Sequence, residues 1–183
     1  FVPGTTQPAT GGYAYYKDGK LTLHNYTYSG KGYKYVASSP YNEYALIHSK
    51  ADCTIVLEGS NALIWDAAYV QYDRGRGIVP LGNLTIEAAS EDASLSMVVG
   101  ENGILSSVPV TIKGGNITVD AYNIAIEAEG IELGEGVTIV KPDGGRVAEY
   151  VDEYGDSYYT VFERNDDGTT QPALSVEIVG SST

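Results

Sequence analysis

Positive charge is scarce in this chain. Lys and Arg number 11 in 183 residues against 24 Asp and Glu, a formal net charge of −13. A surface that grips nucleic acid needs basic clusters, so the sign argues against that class. Cysteine occurs once, which forbids an internal disulfide and a cysteine-based zinc site. No apolar run approaches the ~20 residues that cross a bilayer as a helix, so no membrane span is expected. With only two histidines and no Gly-x-Ser-x-Gly, an acyl-transfer triad has no support. No window of a dozen residues keeps apolar positions at i, i+3, i+4 and i+7, so long amphipathic helices are not expected. The first residue is Phe1, and neither a basic nor an apolar leader follows it, so the chain reads as a mature or trimmed segment.

What the chain does contain is glycine, 22 residues of it, with Val, Ile and Thr spread throughout. This is the vocabulary of short strands and tight turns. Five threonines sit between apolar neighbours: Leu21-Thr22-Leu23, Cys53-Thr54-Ile55, Leu84-Thr85-Ile86, Val110-Thr111-Ile112 and Val137-Thr138-Ile139. Their spacings are 32, 31, 26 and 27 residues. Ile47, Ile78, Ile104 and Ile131 each lie seven residues before the corresponding Thr, and the last three follow a glycine. Alternation in a strand points the apolar flanks one way and the threonine the other. A unit of this length with short strands and no helix cannot bury its apolar face alone, whereas stacked copies can. A third strand per unit is expected at Ala62-Leu63-Ile64, Leu95-Ser96-Met97 and Ile117-Thr118-Val119. Gly59-Ser60-Asn61 and Gly114-Gly115-Asn116 supply corners before two of these.

These x-Thr-Ile strands, Gly-Ile marks and Gly-x-Asn corners, with the opening Lys17-Asp18-Gly19-Lys20-Leu21-Thr22-Leu23, resemble the right-handed parallel β-helix of the pectate-lyase-like superfamily. The likeness is nearest to non-enzymatic versions on bacterial surface proteins that bind carbohydrate. It implies an all-β fold, a single-stranded right-handed parallel β-helix of about five coils, across residues 13–146. Residues 1–12 read as a linker. Residues 147–183 read as an antiparallel C-terminal cap or tail, with a hairpin of Arg146–Val151 against Ser157–Phe162 and a further strand over Leu174–Val179. The hexapeptide Gly4-Thr5-Thr6-Gln7-Pro8-Ala9 returns as Gly168–Ala173 and reads as linker-type sequence.

Two connections are longer than the rest and rich in aromatic and polar residues. One carries Tyr33, Tyr35 and Tyr41; the other carries Trp65, Asp66, Tyr69, Tyr72, Asp73, Arg74 and Arg76. If successive coils stack, both loops emerge at one corner. Tyrosine and tryptophan rings stack on the apolar faces of sugars, while Asp and Arg bond hydroxyls. The plainer reading makes these rings a roof for the first coil and Trp65 a core residue. Cys53 aligns with inward apolar positions and reads as a small buried hydrophobe. The Asn25, Asn83 and Asn116 sequons follow from a corner Asn before a strand with an outward Thr. Asn165-Asp166-Asp167-Gly168 and Asp152-Glu153-Tyr154-Gly155-Asp156 raise calcium, but neither completes a calcium-loop pattern, and solvated turns with no cofactor are expected.

The resemblance also implies what catalysis would need: paired acids for hydrolysis, or a basic residue beside calcium-binding carboxylates for elimination. Asp pairs are not visible on the third strands, and Asp73, Arg74 and Arg76 are expected in a loop. No catalytic or metal residues are therefore assigned. The expectation is a non-catalytic secreted or cell-surface module that binds polysaccharide or another extracellular partner through its Tyr/Trp loops. The alternatives are a polysaccharide lyase or glycoside hydrolase, and a structural spacer of an adhesin.

Overall fold

The computed structural model describes residues 7–37, 41–66, 73–152, 154–165 and 167–180. At the start lie β1 (Tyr13–Lys17), β2 (Lys20–His24), β3 (Thr27–Gly30) and β4 (Tyr33–Ala37). The middle holds β5 (Asn42–Ser49), β6 (Cys53–Glu58), β7 (Ser60–Trp65), β8 (Asp73–Pro80), β9 (Leu84–Ala88), β10 (Ser94–Val99), β11 (Asn102–Ile112), β12 (Gly115–Ala121) and β13 (Ile124–Leu133). The tail adds β14 (Thr138–Lys141), β15 (Arg146–Val151), β16 (Ser157–Arg164), β17 (Thr170–Pro172) and β18 (Ser175–Gly180). There is no helix among the described residues.

The strands form one sheet of twelve and one of six, both of mixed direction. Within the larger sheet the Thr-centred strands β6, β9 and β11 run parallel, with Thr54, Thr85 and Thr111 in register. Their flanks make two buried columns, Cys53–Leu84–Val110 and Ile55–Ile86–Ile112, which the partly buried Ile131 and Leu133 of β13 extend. A second parallel run joins Ile47 to Ile78, Ile78 to Ile104 and Ile104 to Ile126. Strand β11 belongs to both runs. It bends between Ser106 and Pro109, where the buried Ser106 hydroxyl donates to the Val108 carbonyl at 2.7 Å. The smaller sheet stacks Leu63, Met97 and Val119 on β7, β10 and β12. The third strands expected from sequence are thus present and parallel.

One apolar cluster runs through all of this. Ile55, Ile86, Ile112, Met97 and Val119 have no exposed surface. Each such side chain stabilises the fold by roughly 1.5–3 kcal/mol through burial. Polar groups intrude where the chain turns. Asn61 takes the place in line with Leu95 and Ile117 and is 4% exposed. Its Oδ1 accepts from the Tyr26 amide, and its Nδ2 donates to the Ser94 carbonyl. Gly59 and Gly115 adopt positive φ, as their corner positions demand.

The expectation of a single parallel stack is met only in part, since antiparallel strands stand at both ends. β1 pairs antiparallel with β2, and β4 with β5. In the tail, β15–β16 form the expected hairpin; β16 then pairs antiparallel with β13, and β18 with β12 and β14. Two register expectations are corrected. Leu21 pairs with Ile55 instead of Cys53, so Thr22 lies against Val56. Val137-Thr138-Ile139 belongs with the smaller sheet, and Ile131-Glu132-Leu133 takes the Val110-Thr111-Ile112 register in its place. Ile131 therefore pairs with Val110, and Ile126 occupies the position expected of Ile131. The cause is a shorter unit: β12 follows β11 across two residues where β10 follows β9 across five, so the Thr triplet arrives after the large sheet is already filled.

Candidate functional site

The two long segments singled out from sequence meet at the start of β5 and β8. These strands pair in parallel, Asn42 with Asp73, Glu43 with Arg74 and Ala45 with Arg76. Asp73, Arg74 and Arg76 thus lie on a strand, not in a loop as expected. The glycines between and after the arginines stand where the backbone runs close to other groups. A side chain at Gly75 would meet the Trp65 indole at 2.0 Å, and one at Gly77 the Gly103 carbonyl at 2.3 Å.

On the outer side of this junction, Arg74 presents its guanidinium 4.1 Å from the Tyr41 ring centroid and 3.9 Å from Glu101. Tyr41 is 38% exposed. Lys31 binds Asp73 at 2.5 Å and lies over the Tyr44 ring. Asn42 Nδ2 donates to Asp73 at 2.9 Å. Hydrogen bonds from Lys31 and Asn42 hold the Asp73 carboxyl below its ordinary range. Asp66 is exposed beside them and accepts from the Ser29 hydroxyl at 3.2 Å.

Beneath this surface runs a buried polar ladder. Arg76 is 6% exposed. Its Nη1 donates to Glu43 at 2.5 Å and to the Tyr35 hydroxyl, and its Nε lies 3.4 Å from Asn102 Oδ1. Asn102 Nδ2 donates in turn to Glu127 at 2.9 Å. Burial pushes the Tyr35 phenol up to about 12, with Arg76 working against it. Burial alone would raise Glu43, but hydrogen bonds from Arg76 and Tyr35 outweigh it and hold that carboxyl below its usual value. Burial raises the Glu127 carboxyl despite the Asn102 bond and the charge of Arg76. Arg76 is therefore an internal support, with the half-buried Tyr35 bonded to it.

Trp65 is half-buried against the core, its indole filling the space over Gly75 and Gly100. Its Nε1 is buried with no hydrogen-bond partner among the described residues. Tyr69 and Tyr72 lie outside the described residues. Tyr33 sits elsewhere, in a groove of about 540 Å³ with Tyr16, Leu21, Leu46, Ile47 and Lys50. Tyr16 and Tyr33 are 55% and 59% exposed. Both rings Tyr33 and Tyr35 lie nearly parallel to the His48 imidazole. His48 Nδ1 donates to the Val79 carbonyl at 2.8 Å, which fixes the proton on that nitrogen when the ring is neutral.

Sequence reading missed Lys31, Glu43, Glu101, Asn102 and Glu127. One signal was available: Arg76 and Asn102 each stand two residues before a paired isoleucine, Ile78 and Ile104. Cys53 is free and buried, and burial pushes its thiol up, away from reactivity. Among the described residues no three His, Cys, Asp or Glu side chains group as a metal site. Asp152 and Asp167 spend an oxygen each on turn amides. No helix among the described residues is long and apolar enough to cross a membrane. Set against family models, curated proteins and solved structures, the chain matches none.

Proposed function

We propose that the chain is a non-catalytic module of a secreted or cell-surface protein that binds carbohydrate at the Tyr41–Arg74 junction. Its parallel core is read as a right-handed parallel β-helix. The parallel registers of β6–β9–β11, β5–β8–β11 and β7–β10–β12 support that winding, and parallel crossovers are right-handed in about 98% of cases. The observation that carries the binding proposal is the Tyr41 ring, partly exposed, with the Arg74 guanidinium over it and Glu101 beside Arg74. An aromatic face beside charged hydrogen-bonding groups is the chemistry that holds a sugar ring. These side chains rest on paired strands and a buried ladder, so little ordering cost falls on binding.

A glycan array screened with the intact chain, then with Tyr41→Ala and Arg74→Gln, tests this. Each substitution removes one contact and is expected to weaken any array signal by about tenfold. Unchanged signals in folded variants, or no signal from the intact chain, would overturn the proposal.

A further inference from the structure

We propose that the chain associates head to tail, the β15–β16 turn of one copy seating in the Tyr16–Tyr33 groove of the next. This inference uses neither the Tyr41–Arg74 junction nor any ligand there. It begins with the distribution of charge. Residues 1–50 hold five Lys against Asp18 and Glu43, a net of +3. Residues 51–130 hold three cations against 11 acids, and residues 131–183 the same, −8 each, which together make −13. Strand order in the sheets follows chain order closely, with β1, β2 and β3 at one limit and β14, β15 and β16 at the other. The gradient along the sequence is therefore a gradient across the molecule.

At the basic end, Lys17, Lys20, Lys34 and Lys50 are exposed, and none forms a salt bridge among the described residues; Lys34 feels only the charge of Asp73. Lys50 lines the groove, whose wall is otherwise mainly Leu21, Leu46, Ile47 and tyrosine rings. Such a wall asks for an apolar body carrying negative charge. The far end supplies one. Tyr154, on the turn between β15 and β16, is 83% exposed and stands between Asp152 and Asp156. Two hydrogen bonds tie the described residues of this turn together: Asp152 Oδ1 accepts from the amides of Tyr154 and Asp156 at 2.9 Å each. Preorganisation lowers the cost of binding. Seven strand-to-strand steps separate β1 from β15, roughly 34 Å at ~4.8 Å per step. That is several Debye lengths at ~0.15 M salt, so the repulsion between two acidic bodies is screened while the contact is not.

Donor and acceptor surfaces differ, so the contact is heterologous and each copy keeps a free head and a free tail. Sedimentation of the whole chain at ~0.15 M salt tests it. The intact chain is expected to grow in mass with concentration, and ~0.5 M salt to weaken growth by roughly tenfold. Tyr154→Ala loses its tail, and Lys50→Glu with Lys17→Glu loses its head; each alone is expected to remain monomeric. All three positions are exposed, so folding is unaffected. Mixed together, the two variants still share one intact head and one intact tail, and a dimer is expected. An intact chain that stays monomeric to about 1 mM would overturn the proposal. So would variants that associate like the intact chain, or a mixture that yields no dimer, the result a symmetric contact predicts.

Discussion

Trp65 is the chain's single tryptophan, and its ring occupies volume that side chains at Gly75 and Gly100 would need. A Cβ at Gly75 falls 2.0 Å from the indole, against 2.8 Å at Gly100. Neither glycine has a positive φ, so alanine there tests space alone. Gly75→Ala is expected to cost about 1–3 kcal/mol by overpacking and to turn the indole outward, shifting its emission to longer wavelength. Gly100→Ala should do less of both. Denaturation followed by fluorescence measures the two together, and an unchanged spectrum in Gly75→Ala would contradict this placement. The neighbouring Arg76 makes a second case. Arg76→Met would leave the Glu43 carboxylate half-buried without its cation, a change expected to cost about 3–5 kcal/mol. Adding Glu43→Gln should recover part of that loss in a denaturation cycle. These residues also mark a limit of sequence reading. Arg74 and Arg76 are expected in a loop, yet Arg74-Gly75-Arg76-Gly77 is part of a strand whose glycines make room for a ring and a carbonyl from distant segments.

At the level of strands, alternation made most of the sheet legible. Thr54, Thr85 and Thr111 are in register because each stands between two apolar residues that only one face can bury. The same rule misled at Thr138, since Glu132 fills the outward place between Ile131 and Leu133 as well as a threonine does. Pairing of β4 against the adjacent β5 had no local signal beyond tyrosine richness. The junction between β13 and the tail was equally hidden, and it carries a pH dependence. Glu127 lies there, its carboxyl raised first by burial and then by the charge of Asp152. The neighbouring Tyr158 phenol is raised too, by burial first and then by Glu127. A carboxyl raised in the folded state binds its proton more tightly folded than unfolded. Its stabilising contribution is present at acid pH and is lost as pH rises from its ordinary value of 4.5 through the folded one. Glu127→Gln keeps an acceptor for Asn102 and never ionises. The stability of this variant relative to the intact chain should rise between pH 4 and pH 7 (about the range in which an ordinary carboxyl ionises). A difference independent of pH in parallel urea titrations would count against it.

Across the whole molecule, excess negative charge sits on the middle and last thirds of the chain, −8 in each by the counts above. Short pairs such as Lys31–Asp73 and Arg76–Glu43 are local and screened little. Repulsion among unpaired exposed carboxylates such as Glu132, Glu135 and Asp143 is longer in range and screened strongly. Salt should therefore stabilise the single folded chain, even as it weakens the contact between chains. Separating these effects requires a chain that stays monomeric, which Tyr154→Ala is expected to provide. In that background, raising NaCl from about 20 to about 200 mM should raise Tm by a few degrees, roughly what 0.5–1 kcal/mol gives in a domain of this size. Glu132→Lys, at an exposed site in the acidic third, should raise Tm at low salt and flatten the response to NaCl. A Tm that falls with salt would mean that the short pairs dominate the electrostatics, and the gradient would then have no purchase on stability.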